Sequence, residues 1–196
     1  MTAIMDAAEE VFGDAGLHAA HMGMIAAKAG VSVGTLYNHF ADREALLAGL
    51  LAARHAELVE RIDAASREGQ GQPLRERLRL ILLGFITHCE QHRRFTSIVL
   101  QREIGRYHQM YPQAWAKKTN AMRAIYVRIE KEMKRGVRER SLRPELADLD
   151  AVFFMGMLRA LVIRDLVFEK GQGMKPEVER LLDAFFGGLG SRGASA

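Results

Sequence analysis

Three helix signals crowd into residues 22–47, and their punctuation leaves that stretch few ways to fold. Met22, Ile25, Ala26 and Ala29 recur at helical spacing. Gly30 follows, the residue type that ends a helix in the left-handed conformation. Val31 supplies an apolar anchor between two helices. Ser32 then offers a side-chain oxygen to the free amides of a second helix over about 33–40, and Asp42 repeats that signal for a third from Arg43 onward. A helix, a tight Gly-containing turn and a second helix make a helix-turn-helix. A helix of this size fits the ~12 Å major groove of duplex DNA.

The faces of the second helix carry the chemistry. Leu36 and Phe40 are four apart and are expected to face inward with Val31. Val33, Gly34, Thr35, Tyr37, Asn38 and His39 are left for the outside. A solvated helix seldom displays Tyr, Asn and His with almost no charge. These groups donate and accept hydrogen bonds and offer flat surfaces, which suits phosphates and base edges. Gly34 lets the backbone come close to a partner. The competing reading is a purely structural helical hairpin with Tyr37 half buried.

Net charge is +4 over 196 residues, but it is unevenly placed. Residues 1–60 hold three Lys or Arg (Lys28, Arg43, Arg54) against eight Asp or Glu, a balance of −5. The remaining residues therefore carry +9, so a DNA argument rests on local geometry and not on bulk charge. A single Cys, Cys89, excludes an internal disulfide framework and a multi-Cys metal cage. No run of 18 apolar residues is present, so no membrane span is expected. The first residues lack the basic and apolar regions of a secretory signal, and the expected location is cytoplasmic.

Helical periodicity recurs along the rest of the chain, while hairpin turns and period-two alternation are missing, so the predicted fold class is all-α. Ile4, Ala7, Ala8, Val11 and Phe12 open the first helix, which Gly13 and Gly16 are expected to stop. Further helices are predicted over 43–67, 74–91, 94–108, 112–140, 149–168 and 176–186. The segment 149–168 is apolar almost all round and needs cover on every side. Gly156 and Ala160 on it permit close approach of another helix. With Val178, Leu181, Leu182, Phe185 and Phe186 of 176–186, it predicts a four-helix homodimer interface, two helices from each subunit. Such a two-fold pair suits a palindromic double-stranded DNA operator.

Phe85, Cys89, Phe95, Met122, Tyr126 and Met155 are candidate walls of an apolar pocket for a small, lipophilic effector. Taken singly, each more often belongs to an ordinary core. Arg159 and Arg164 are unusual inside an apolar helix. They either hold an anion, pair with Asp165 or Glu169, or lie at the dimer rim. His88 and His92 are four apart, but two ligands without a partner motif fall short of a metal site, and no metal or cofactor is expected. The cations from Lys117 to Arg143 alternate with Glu130, Glu132 and Glu139, as on a solvated face, the alternative being a surface that attracts an acidic ligand such as an acyl-CoA.

Residues 25–47, IAAKAGVSVGTLYNHFADREALL, and the stretch leading to them from Ile4, resemble the N-terminal domain of the TetR family of bacterial transcription regulators. The resemblance implies a helix-turn-helix DNA-binding domain over 1–46 and a ligand-binding and dimerisation bundle over 47–190. It implies that Val33, Gly34, Thr35 and Tyr37 face bases and nearby phosphates, and that His39, Arg43 and Lys28 bind backbone phosphate. The amides after Ser32 and Asp42 add partial positive charge. The family usually starts its second helix with hydroxyl residues followed by a cation, where this chain has Ala20, His21, Met22, Gly23 and Met24. His21 stands in as a cap or as a phosphate donor. The implied function is a dimeric repressor released from its operator by a small molecule. The alternative is a helical small-molecule carrier or enzyme with a degenerate head. No triad, phosphate loop, paired-carboxylate motif or metal cluster supports catalysis.

Overall fold

A computed structural model of the chain describes residues 1–107, 120–142, 147–168 and 173–189, with the side chains of 101–107, 120–122, 147–150 and 188–189 outside the description. The fold is all-α. The helices are α1 (Thr2–Ala19), α2 (Met22–Ala29), α3 (Val33–His39), α4 (Arg43–Glu68), α5 (Leu74–Gln91), α6 (Arg93–Tyr107), α7 (Asn120–Arg138), α8 (Ala147–Ile163) and α9 (Val178–Leu189). A π-helical turn, Arg164–Phe168, follows α8, and a short 3-10 turn, Lys175–Glu177, precedes α9. No helix among the described residues is long and apolar enough to cross a membrane. The chain divides into two compact units, residues 1–57 with 92–112, and 58–91 with 113–196.

In the first unit, Ile4, Ala7, Ala8, Val11 and Phe12 of α1 meet Ile25, Leu36, Leu46, Leu50 and Ile98 in one buried cluster. The first helix passes Gly13, one of the two glycines expected to stop it. It runs on to Gly16, whose φ of 79° breaks the helical path. Gly13 has another cause. The aliphatic stem of Arg94 lies across it, 2.6 Å from where a Cβ would stand, and Arg94 goes on to pair with Asp14. A glycine that makes room for a distant side chain looks, in sequence, like a helix stop.

A buried ion cluster ties α1, α4 and α6 together in this unit. Arg54 is 6% exposed. Its Nε donates to Glu9 at 2.8 Å, its Nη1 to Glu57 at 2.9 Å, and its Nη2 to Asp6. Glu9 also accepts from the Phe95 amide at 3.4 Å. The His92 ring lies against Glu9 (3.2 Å) and Glu57 (3.4 Å). Beside the cluster, His55 packs edge-on to Phe95, centroids 5.3 Å apart. Burial holds the His55 imidazole below its ordinary value of 6.5. The neutral ring therefore stabilises the fold fully above about pH 6.5, and that contribution is lost as pH falls through the lowered folded value. The melting temperature is expected to drop between pH 7 and 5, with a shallower drop in His55→Leu. Parallel curves for the two proteins would remove His55 as a cause.

In the second unit, Leu78, Ile81, Leu82 and Ile86 of α5 pack with Ile125, Ile129 and Met133 of α7, Phe154 and Leu158 of α8, and Leu182 and Phe185 of α9. Gly136 lets Leu74 and Leu142 close over α7, since a Cβ there would overlap Leu74 and crowd Leu142 at 3.2 Å. α8 is two-faced. Ala151, Phe154, Leu158, Leu161 and Val162 are buried, while Val152, Phe153, Gly156 and Ala160, with Val167 of the π-helical turn beyond, lie exposed. On α9 the expected interface residues Val178, Leu181, Leu182 and Phe185 are instead buried in the core of their own unit. Amphipathicity says that a face must be covered and not by what. Arg164 pairs with Glu177 at 3.5 Å, and Asp165 accepts from the Gly173 amide at 3.2 Å. Glu169 lies outside the described residues.

Candidate nucleic-acid interface

The turn between α2 and α3 is built by local bonds. Gly30 sits at φ 68°, ψ 29°. The Gly30 amide reaches the Ala27 carbonyl, and the Val31 amide reaches that of Ala26. This pair of bonds is the Schellman closure, which needs a left-handed residue where Gly30 stands. Val31 then packs against the buried cluster of the first unit. Ser32 caps α3, its Oγ accepting from the Thr35 amide at 3.0 Å and meeting Thr35 Oγ1 at 2.8 Å. Asp42 caps α4 by accepting from the Ala45 amide at 2.7 Å.

These bonds fix which way α3 turns. Leu36 is fully buried, and Phe40 is partly buried against the same cluster. Tyr37 is 51% exposed and Val33 43%, with Gly34, Thr35, Asn38 and His39 exposed around them. The sequence reading assigned these six residues to one outward surface, and they lie there. A Cβ on Gly34 would meet only Ser32 Oγ, at an ordinary 3.7 Å. Among the described residues, nothing inside the fold requires this glycine.

His21 is the N-cap of α2. Its Nδ1 accepts from the Met24 amide at 3.3 Å. A ring accepting at Nδ1 in its neutral form carries its proton on Nε2, which leaves that nitrogen as a donor. Gly23 gives the ring room, since a Cβ there would stand in tight contact with it at 3.3 Å. The sequence reading selected neither Gly23 nor Met24, which is 38% exposed at the start of α2. The replacement of the family's hydroxyls at these positions was the signal available.

The two cations are engaged within the unit. Lys28 pairs with Glu10 while remaining about half exposed. Arg43 Nη1 donates to the carbonyls of Leu17 (2.6 Å) and Ala20 (3.3 Å), and Nη2 to Glu44 (2.7 Å). A guanidinium there satisfies carbonyls left open at the end of α1 and favours the negative end of its dipole. Arg43 thus positions α1 against α4.

The ligand candidates separate by unit. Phe85, Tyr126 and Met155 are partly buried against the second unit's core, and Cys89 is within it. Arg159 is half buried. Phe95 belongs to the first unit, beside His55. The Met122 side chain lies outside the described residues.

Residues 4–50 match the family described as bacterial regulatory proteins, tetR family. The fatty acid metabolism regulator protein of Bacillus subtilis (strain 168) is 35% identical over 65 residues, 33% of this chain and 34% of that protein. The matched stretch thus spans about a third of that relative's length. Solved structures resemble the whole chain in fold. The fatty acid degradation regulator FadR of Bacillus halodurans has a TM-score of 0.80 at 22% identity, covering 96% of this chain and 98% of that one. FadR of Bacillus subtilis, solved in complex with stearoyl-CoA, has a TM-score of 0.79 at 20% identity, covering 94% and 96%. Residues 4–50 thus carry the helix-turn-helix head of the tetR family of bacterial regulatory proteins, and the chain as a whole shares the fold of the solved FadR regulators.

Proposed function

We propose that the protein is a ligand-responsive DNA-binding regulator, a repressor that holds a palindromic operator as a homodimer and is released by a small lipophilic effector. One observation carries this reading: α3 buries Leu36 and turns Val33, Gly34, Thr35, Tyr37, Asn38 and His39 outward. An uncharged surface with hydrogen-bonding and flat groups on a short helix suits the major groove. The exposed apolar stripe of α8 and the turn after it, Val152, Phe153, Gly156, Ala160 and Val167, supports the dimer, because a contiguous patch of this kind calls for a partner.

The effector we infer is a long-chain acyl thioester. The name of the Bacillus subtilis relative and the stearoyl-CoA bound to its structural counterpart support that class. So do the partly buried Phe85, Tyr126 and Met155, which offer an apolar and adaptable lining. Effector binding in the second unit changes the course of α4 and with it the spacing of the paired α3 helices. A coupling free energy of about 1–3 kcal/mol is enough for regulation of this kind.

A gel shift with the DNA flanking the protein's own gene, with and without stearoyl-CoA, tests the reading. The expected result is a shifted band that the thioester dissolves. Tyr37→Ala should weaken specific binding by about tenfold or more, the scale of one good base contact, with no change in melting temperature. Equal binding by parent and variant would contradict it. Arg43→Ala should weaken binding to all sequences alike, and should also lower stability through the opened α1 terminus.

Among the described residues of the first unit, Lys28, Arg43, Arg54 and Arg94 are all engaged in ion pairs, so the salt dependence should be shallow, with fewer than about ten counterions released per dimer. A steeper slope would contradict the contact set given for α2 and α3. The acidic balance of residues 1–60 favours one other reading, a carrier whose head no longer binds DNA. It would show as thioester binding without any DNA shift.

A further inference from the structure

The outer face of α7 is a cationic stripe. Arg123, Val127, Lys131, Lys134 and Arg138 are all exposed. At 3.6 residues per turn they fall within an arc of about 80°, and along the helix they extend roughly 22 Å. The opposite arc holds Ile125, Ile129 and Met133, all fully buried. No carboxylate lies on the exposed arc. Lys134 reaches sideways to Glu130 at 2.9 Å. Among the described residues Arg123, Lys131 and Arg138 form no ion pair.

Charge gathers further where α7 faces α4. Asp63 accepts a bidentate pair of bonds from Arg128, at 2.6 and 2.7 Å. That hydrogen bond, with the nearby charges of Arg128, Arg67 and Lys131, holds the Asp63 carboxyl below its usual range. One carboxylate is thus surrounded by three cations. α7 itself carries six Lys or Arg against two Glu, a surplus equal to the formal net charge of the whole chain. A face serving only solubility mixes signs, because like charges repel; a one-sign face concentrates anions.

Val127, 48% exposed, sits in the middle of the stripe. An apolar seat between cations matches a ligand that carries both phosphates and a flat base. A duplex backbone or a lipid headgroup layer brings no apolar group to that position. We propose that this face of α7 receives the phosphorylated nucleotide end of a coenzyme A thioester, with Arg123, Lys131 and Arg138 on the phosphates and Val127 beneath the adenine. The acyl chain enters the core against which the other face of the same helix packs. The inference rests on the acyl-thioester reading above and names the part of the ligand that this chain grips by charge.

Calorimetry on the full chain tests it with three probes: stearoyl-CoA, S-stearoyl-pantetheine, which lacks the phosphates, and adenosine 3′,5′-bisphosphate. The parent should bind stearoyl-CoA more tightly than S-stearoyl-pantetheine, and only the former should weaken with salt. In the triple variant Arg123→Gln/Lys131→Gln/Arg138→Gln, stearoyl-CoA affinity should fall by about tenfold or more and S-stearoyl-pantetheine affinity should stay. The bisphosphate should bind the parent weakly and the variant not at all. The charge-keeping variant Arg123→Lys/Lys131→Arg/Arg138→Lys should retain most of the affinity. A triple variant that binds stearoyl-CoA like the parent overturns the proposal. So does a variant that loses only duplex DNA or anionic phosphatidylglycerol vesicles. If the parent binds neither acyl compound, the acyl-thioester reading itself fails.

Discussion

Arg77→Ala is expected to destabilise the protein by about 3–5 kcal/mol in urea unfolding, the range for breaking a buried ion pair from one side. Arg77 is 1% exposed. Its Nε donates to Glu132 at 2.7 Å, its Nη2 to Glu139 at 2.9 Å, and its Nη1 to the Gln72 carbonyl at 2.6 Å. One side chain thereby joins α5, the loop before it and α7. Glu132 is itself buried, so truncating Arg77 leaves a carboxylate without its counter-charge in an apolar setting. The double variant Arg77→Met/Glu132→Leu should recover most of the loss, because the cost lies in the orphaned charge more than in the absent attraction. A loss below about 1 kcal/mol for the single variant would show that Glu132 finds water or another partner.

Phe153→Arg is expected to turn the dimer into a monomer and to weaken operator binding by about two orders of magnitude or more, since the second half-site contact then loses its effective concentration. Phe153 is 50% exposed and lies on the α8 stripe with Gly156 and Ala160, so the fold of the subunit does not depend on it. Sedimentation velocity reads the first effect and a gel shift the second. A variant that stays dimeric would place the interface elsewhere.

What the sequence made legible was short-range. The Schellman closure at Gly30, the caps at Ser32 and Asp42 and the opposed faces of Leu36 and Tyr37 each depend on residues within five positions of one another. Their signals survive in a single window. The contacts that the sequence did not disclose are long-range. Arg43 goes to carbonyls more than twenty residues upstream, Arg54 to Glu9 across 45 positions, and Arg77 to Glu132 across 55. A charged residue in a helical window reads as solvated, whatever distant carboxylate the fold brings to it. Gly13 follows the same rule, cleared for Arg94 and mistaken for a stop. The apolar stripe of α9 was equally open, because a residue destined for its own core and one destined for a partner subunit have the same spacing. The cationic arc of α7 lay inside a run of mixed charge, and only the exposure of each position set Arg123, Lys131, Lys134 and Arg138 apart from Glu130 and Glu132.

Methylation protection of guanine N7 on DNA bound by the intact protein tests the central claim most directly. That atom lies in the major groove, where α3 must sit if Val33 and Tyr37 face base edges. The expected pattern is two symmetry-related clusters of protected guanines, about one helical turn or a multiple of it apart, both lost in Tyr37→Ala. Unprotected guanines throughout a bound fragment, or protection unchanged by Tyr37→Ala, would contradict it.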